Sequence, residues 1–228
     1  MTSLTLVIGN KNYSSWSLRP WLAMQVAGIP FEEVIVQLDT PETRANILKW
    51  SPAGRVPVLI DGDTTVWESL AILEYLAEKF PQRNIWPERI EERAMARAIS
   101  AEMHAGFSAL RRHFPMNVRK RLPGRGPTPE AAADIARIEA IWKSCLERSG
   151  GPFLFGGFSG ADAMYAPVVS RFETYEIKVD PVCRSYMDDV LTLPVFERWH
   201  AAAEAEAWTI PAEEVGRASC RERVYLCV

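Results

Sequence analysis

The sequence predicts an α/β unit of order β-α-β-α-β-β-α up to Pro81, followed by an all-helical half. Three observations carry that expectation. Short β-branched runs alternate with helical spacing before residue 40, residues 58–67 fold back at Asp61-Gly62, and strand signals vanish after Pro87.

Residues 4–8 (Leu-Thr-Leu-Val-Ile) form a short apolar run ending at Gly9-Asn10, the mark of a buried strand. Ser17 is placed to cap a helix carrying Leu18, Leu22 and Val26, which Gly28 and Pro30 stop. A second strand is expected over residues 31–38 and a short helix over 43–50, ended by Ser51-Pro52-Ala53-Gly54. Val58-Leu59-Ile60 and Thr65-Val66-Trp67 flank Asp61-Gly62 as a hairpin. Ser69 then opens a helix with Ile72, Leu73, Leu76 and Phe80 on one face. Beyond Pro87, Met95, Ile99, Met103, Phe107, Leu110 and Phe114 recur at three and four residues, which predicts one long amphipathic helix. Thr128 caps the next helix, with Ile135, Ile138, Trp142 and Cys145 inward, and Gly150-Gly151 ends it. Shorter helices are expected over 161–172, 185–191 and 194–207. The domain limits follow: 1–82, then 88–212, with 216–228 read as a non-native or frame-shifted tail because it turns abruptly Arg-rich and holds half of the cysteines.

Composition narrows the function classes. The 26 Lys and Arg against 29 Asp and Glu give a net charge of −3, so nothing marks a nucleic-acid binder. No apolar run approaches the ~20 residues a membrane helix needs, and Met1-Thr2-Ser3 lacks a basic leader, so a cytoplasmic protein is expected. Cys145, Cys183, Cys220 and Cys227 show no C-x-x-C spacing, and His104, His113 and His200 are scattered, so no metal is expected.

Several segments stand out locally. Ser14 and Ser15 lie where the first strand hands over to the first helix, and read alone they are small polar caps. Pro57 should sit at a strand start or edge because it brings no ladder donor. Glu68-Ser69 opens a helix, where an N-cap hydroxyl and an acidic charge both fit. Ser159-Gly-Ala-Asp162 reads as a capping box. Between Glu102 and Glu130 there is no acidic residue, while Arg111, Arg112, Arg119, Lys120, Arg121 and Arg125 accumulate. They read as cations near a helix C-terminus or as a positive rim attracting anions.

Taken together, the order of elements, Asn12-Tyr13-Ser14-Ser15-Trp16-Ser17, Gly54-Arg55-Val56-Pro57-Val58-Leu59, Trp67-Glu68-Ser69 and Phe158-Ser159-Gly160-Ala161-Asp162-Ala163 resemble a cytosolic glutathione transferase over residues 4–212. The likeness is nearest to serine-type, zeta-like and bacterial members, although Trp16 stands where the zeta pattern has Cys. It implies a thioredoxin-like domain that binds glutathione, a helical domain with the second-substrate pocket, and a homodimer. The activity implied is conjugation or isomerisation of a small electrophile, with peroxidase as a side activity; a non-catalytic glutathione-binding or scaffold protein is the alternative.

For the site, the resemblance makes Ser14 or Ser15 the hydroxyl that steadies a glutathione thiolate, with Tyr13 as a competing donor. Lowering a thiol pKa from ~8.5 by about two units needs ~2.7 kcal/mol, within reach of one charge-assisted hydrogen bond plus a helix N-terminus. Val56 before a cis Pro57 would pair with the peptide backbone, Ser69 and its N–H would take the γ-glutamyl carboxylate, Glu68 the ammonium, and Arg55 the glycyl carboxylate. Trp16, His104, Phe107 and Arg111 are the candidates for the second-substrate pocket. Glutathione is then the cosubstrate, or a cofactor if the reaction is isomerisation. A thiol–disulfide oxidoreductase on this fold needs a cysteine in the serine loop, which this chain lacks there.

Overall fold

The computed structural model describes residues 3–214. The first half is a four-stranded mixed sheet with helices, and the second is all helical. Strands β1 (Leu4–Ile8), β2 (Phe31–Ile35), β3 (Val58–Asp61) and β4 (Thr64–Trp67) stand in the order β2-β1-β3-β4. β1 runs parallel to β2, with Val7 opposite Val34, and antiparallel to β3, with Leu6 opposite Leu59. Central β1 is apolar and almost wholly buried, as a strand covered on both faces should be. The parallel β1–β2 pair needs a crossover, which α1 (Ser15–Val26) supplies. Gly62, at φ 58°, closes the β3–β4 hairpin, and α2 (Thr43–Leu48) and α3 (Ser69–Lys79) complete this half.

Three expectations needed adjustment here. Ser14, not Ser17, caps α1: its backbone is non-helical (φ −81°, ψ 86°) and its Oγ accepts from Ser17 N at 3.4 Å. Ser17 lies inside the first turn, and its Oγ instead accepts from Gly9 N at 3.0 Å, tying the helix back to the strand. The second strand stops at Ile35 because Leu38 N turns to the Asn10 side chain at 2.7 Å rather than to a ladder partner. The third adjustment concerns the long amphipathic helix, which is two: α4 (Ile90–Ala105) and α5 (Ser108–His113). Gly106 is extended and Phe107 is left-handed at φ 58° between them. Met103, Phe107, Leu110 and Phe114 are nonetheless all buried, so the apolar period runs on across the break and conceals it.

Helix α6 (Pro129–Ser149) begins at Thr128, whose Oγ accepts from Ala131 N at 3.2 Å, and ends at left-handed Gly150. α7 (Gly160–Thr174) is buried along nearly its whole length and packs on α1 and α4. The fully buried Arg19 of α1 donates to Met164 O at 3.2 Å, a cross-link between the two halves. α8 (Pro181–Leu191) starts four residues earlier than its apolar spacing suggested, because Asp180 accepts from Val182 N and Pro181 takes the first turn. α9 (Pro194–Ala205) follows, and residues 206–214 then run back onto the first half. One hydrophobic core is shared by both halves, from Leu6 and Leu22 through Met103 to Trp142 and Trp199. A smaller cluster joins Val7, Tyr13, Val36, Leu38 and Val58 to Ile210. No helix among the described residues is long and apolar enough to cross a membrane. The 216–228 tail lies outside the described residues.

Candidate functional site

The residues singled out above gather where the N-terminus of α1, the start of β3 and the start of α3 meet. A hydroxyl has one proton to give. Ser14 gives its own to Ser17 Oγ at 2.7 Å while accepting from Ser17 N, so its hydroxyl is occupied by the cap. Ser15, the first residue of α1, has no side-chain hydrogen bond to any described residue and lies against the larger cleft. Tyr13 Oη donates to Glu214 and accepts from Arg119 at 2.9 Å, and burial, followed by the Glu214 hydrogen bond, raises its pKa.

A smaller cleft, about 240 Å³ of space open to solvent, is lined by Arg55, Val56, Pro57, Trp67, Glu68 and Trp16. The Val56–Pro57 peptide is cis, as the resemblance implied, and Pro57 stands just before β3. Glu68 precedes α3 at φ 70°, a left-handed conformation uncommon for a non-glycine residue and worth about 1–3 kcal/mol of strain. Ser69 beside it is fully buried, and its Oγ has no partner. An unpaired buried hydroxyl costs about 1–3 kcal/mol, so a ligand atom that pairs with it gains that much back. An orphaned hydroxyl and N–H at a helix start, an acidic side chain turned aside by its backbone, and a proline-bounded strand start suit a peptide with a free carboxylate and ammonium. The residues present therefore fit glutathione.

The larger cleft, about 450 Å³ of space open to solvent, lies between the serine loop and the helical half. Ser14, Ser15 and Trp16 line one side, and Arg111, Met116 and Arg171 face them. Ile210 and Glu213 of the returning segment form a third wall, and burial raises the Glu213 carboxyl above its ordinary range. Trp16 belongs to both clefts. Its ring lies 4.0 Å from the Arg19 guanidinium and 5.2 Å from that of Arg111, with the His104 ring edge-on at 5.1 Å. His104 Nε2 stands 3.6 Å from Glu68 Oε2, which links α4 to the smaller cleft. Burial lowers the His104 pKa, Arg19 and Arg111 add to the effect, and Glu68 opposes it.

Thus Ser14, Ser15, Trp16 and Arg111 meet at one cleft, and Arg55, Val56, Pro57, Glu68 and Trp16 at the other, with Ser69 beneath and His104 beside them. Phe107 lines neither; its ring is buried in the core at the α4–α5 break. The run of cations divides: Arg112, Lys120 and Arg121 are exposed, while Arg111 and Arg119 turn inward. Arg111 caps Met103 O at 3.0 Å and Gly106 O, and Arg119 donates to Glu206 O and Trp208 O at 2.7 and 3.0 Å. Trp67, Met116, Arg171, Ile210 and Glu213 were not among the sequence candidates. Arg171 had a signal, a lone cation in the apolar run 161–172, whereas Ile210 and Glu213 had none. No group of three or more His, Cys, Asp or Glu among the described residues could hold a metal ion.

Comparison with known proteins adds to this geometry. Residues 13–79 match the family described as the glutathione S-transferase N-terminal domain, and residues 93–202 match its C-terminal domain. The chain is 30% identical over 173 residues to maleylacetoacetate isomerase of Rattus norvegicus, covering 74% of this chain and 78% of that one. It is 40% identical over 149 residues to a zeta-class glutathione S-transferase of Euphorbia esula, covering 63% and 64%. Two further relatives are matched over only 38% and 24% of their own lengths. Among solved structures, a glutathione transferase homolog from Burkholderia GL BGR1 with bound glutathione superposes with a TM-score of 0.68 at 22% identity, over 90% of this chain and all of that one.

Proposed function

Because this chain belongs to the glutathione S-transferase family, we propose that it joins glutathione to a small electrophile or uses it to isomerise one. Residues 1–82 serve as the glutathione-binding unit and 88–212 as the second-substrate unit. The observation that carries the mechanism is the uncommitted Ser15 hydroxyl at the N-terminus of α1, on the cleft that adjoins the cis-proline site.

Bound glutathione supplies the sulfur nucleophile. Ser15 donates its hydrogen bond to that sulfur, and the N-terminal end of α1 favours negative charge there. Val56 offers its N–H and C=O to the ligand backbone as an added strand edge. Ser69 offers its orphaned hydroxyl and its helix-start N–H to the γ-glutamyl carboxylate, Glu68 faces the ammonium, and Arg55 the glycyl carboxylate. Ser14 holds the helix cap and supports Ser15 rather than replacing it. Trp16, Met116 and Ile210 give the larger cleft an apolar lining, and Arg111 and Arg171 give it positive charge, so an electrophile with an anionic group suits it. Isomerisation enters because the rat relative bears that activity in its name. A cytoplasmic homodimer accompanies this reading, on family membership alone.

Conjugation assays against several carbon electrophiles, with calorimetric binding of glutathione alongside, test it. Ser15→Ala should lose at least about tenfold in kcat/KM, ~1.4 kcal/mol, with the fold intact. Ser14→Ala should instead lose about 1 kcal/mol of stability as a missing cap. The reverse pattern moves the donor to Ser14. Wild-type protein that binds glutathione but transfers it to no electrophile is a binding protein instead.

A further inference from the structure

The serine loop is gripped from a distant part of the chain. Glu206, just beyond α9, is an acceptor-only group with two oxygens, and two consecutive backbone amides meet it: Lys11 N at 2.6 Å and Asn12 N at 3.1 Å. The rest of this short stretch is held as fully. Asn12 O accepts from Val118 N at 3.2 Å, its Oδ1 from Arg119 N at 2.9 Å, and its Nδ2 donates to Asn117 Oδ1 at 3.1 Å. Lys11 O accepts from Trp199 Nε1 at 3.0 Å, while Lys11 Nζ pairs with Glu33 at 2.7 Å between the rings of Trp21 and Trp199. Arg119 in turn anchors the Glu206 end, forking to the carbonyls of Glu206 and Trp208. Two short links carry this grip to the active hydroxyl, since Ser14 N donates to Asn10 O at 2.8 Å and Ser15 N to Tyr13 O at 3.0 Å.

We propose that Glu206 is a positioning residue for the serine loop: its carboxylate fixes the Lys11–Asn12 backbone and thereby sets where the Ser15 hydroxyl stands between the two clefts. The proposal rests on the assignment of Ser15 as the donor to sulfur. A hydrogen bond to a thiolate weakens steeply once the angle at the donor hydrogen falls below about 120°. Glu206 touches neither cleft, so its influence reaches the site only through the backbone it holds. The segment it begins also carries Ile210 and Glu213 to the larger cleft, which couples the shape of that wall to the placement of the loop.

Glu206→Gln tests this at nearly constant shape. It replaces one acceptor oxygen by an NH2 that faces a backbone N–H, donor against donor. The readouts are the pKa of the bound glutathione sulfhydryl, followed by thiolate absorbance, the dissociation constant of glutathione, and amide exchange over residues 10–15. The expected result is a rise of about one unit in the bound thiol pKa, from about 6.5 to about 7.5, which cuts the thiolate fraction at pH 7 about threefold. Glutathione affinity should change less than about threefold, because the variant leaves residues 55–57 and 68–69 untouched, and exchange should quicken in the loop. A folded variant whose bound thiol titrates as in the wild type overturns the proposal, as does one in which affinity alone changes. Should Glu206→Gln not fold, Arg119→Lys removes the fork that anchors the same segment and must shift the thiol in the same direction, and no shift overturns the proposal. A wild-type protein that does not bind glutathione, or binds it without lowering its thiol pKa, removes the premise that Ser15 serves the sulfur.

Discussion

Asp162→Ala takes one carboxylate away from three donors at once. In the folded chain Oδ1 accepts from Leu154 N at 3.0 Å, and Oδ2 accepts from Ser159 N at 2.8 Å and Ser159 Oγ at 3.0 Å. The residue is fully buried at the start of α7, the helix on which α1 and α4 both pack. Alanine removes the cap, worth about 1 kcal/mol, and leaves two buried amides without partners at about 1–3 kcal/mol each, a total of about 3–7 kcal/mol. For a chain of this size that lowers the melting temperature by roughly 10 °C. Asp162→Asn keeps one acceptor oxygen and should lose less. Its difference from the wild type depends on pH in a definite direction. Burial, opposed by the hydrogen bonds from Leu154 and Ser159, pushes the Asp162 pKa up to about 6, against an ordinary 3.8. Between those values the folded chain binds a proton that the unfolded chain does not, so the wild type gains stability from this group as pH falls, up to about 3 kcal/mol. Asparagine gains nothing, and the gap widens from pH 7 to pH 4. Urea unfolding followed by tryptophan fluorescence and circular dichroism measures both effects. A loss under about 1 kcal/mol for the alanine variant, or a gap that stays flat or narrows with acid, refutes the reasoning.

Ser69→Ala deletes a hydroxyl that has no partner in the ligand-free fold. It should raise the melting temperature by a few degrees, since the cost of that unpaired hydroxyl is removed, while weakening glutathione binding about tenfold in calorimetry, the loss of ~1.4 kcal/mol expected for one hydrogen bond to a charged group. His200 titrates in the opposite sense to Asp162. Burial first, and then Arg121, lowers its pKa to about 4, so the unfolded chain takes up the proton first and the wild type loses stability as pH falls from about 6.5 to about 4. His200→Leu should abolish that component, worth about 2 kcal/mol once its partial exposure is discounted, and unfolding midpoints that keep the wild-type pH profile contradict it.

Much of the fold was legible because local chemistry and global role agree. The Asp61-Gly62 turn, the Thr128 cap and the Ser159–Asp162 box each do in the fold what their residues favour in isolation. Most of the misjudged boundaries share one cause: a contact made outside the element itself. Ser17 lost the cap to Ser14 because Gly9 N claims its hydroxyl. The α4–α5 break left no mark on the apolar period because Phe107 stays in the core through it, and Arg111 satisfies the carbonyls the break exposes. The candidate site was legible on its first-half side, where Ser15, Val56-Pro57 and Glu68-Ser69 carry recognisable local patterns. Its other wall was not, since nothing near Ile210, Glu213 or Arg171 in sequence tells that these residues face the serine loop. The same holds for Glu206, whose partners lie almost two hundred positions away.

Ultraviolet titration of glutathione bound to the wild-type chain tests most directly whether the serine loop makes sulfur anionic. Absorbance of the thiolate in the saturated complex should give an apparent pKa about two units below the free value of ~8.5, in the range reached by thiols at helix N-termini. A bound sulfhydryl that ionises as it does free in solution contradicts the account.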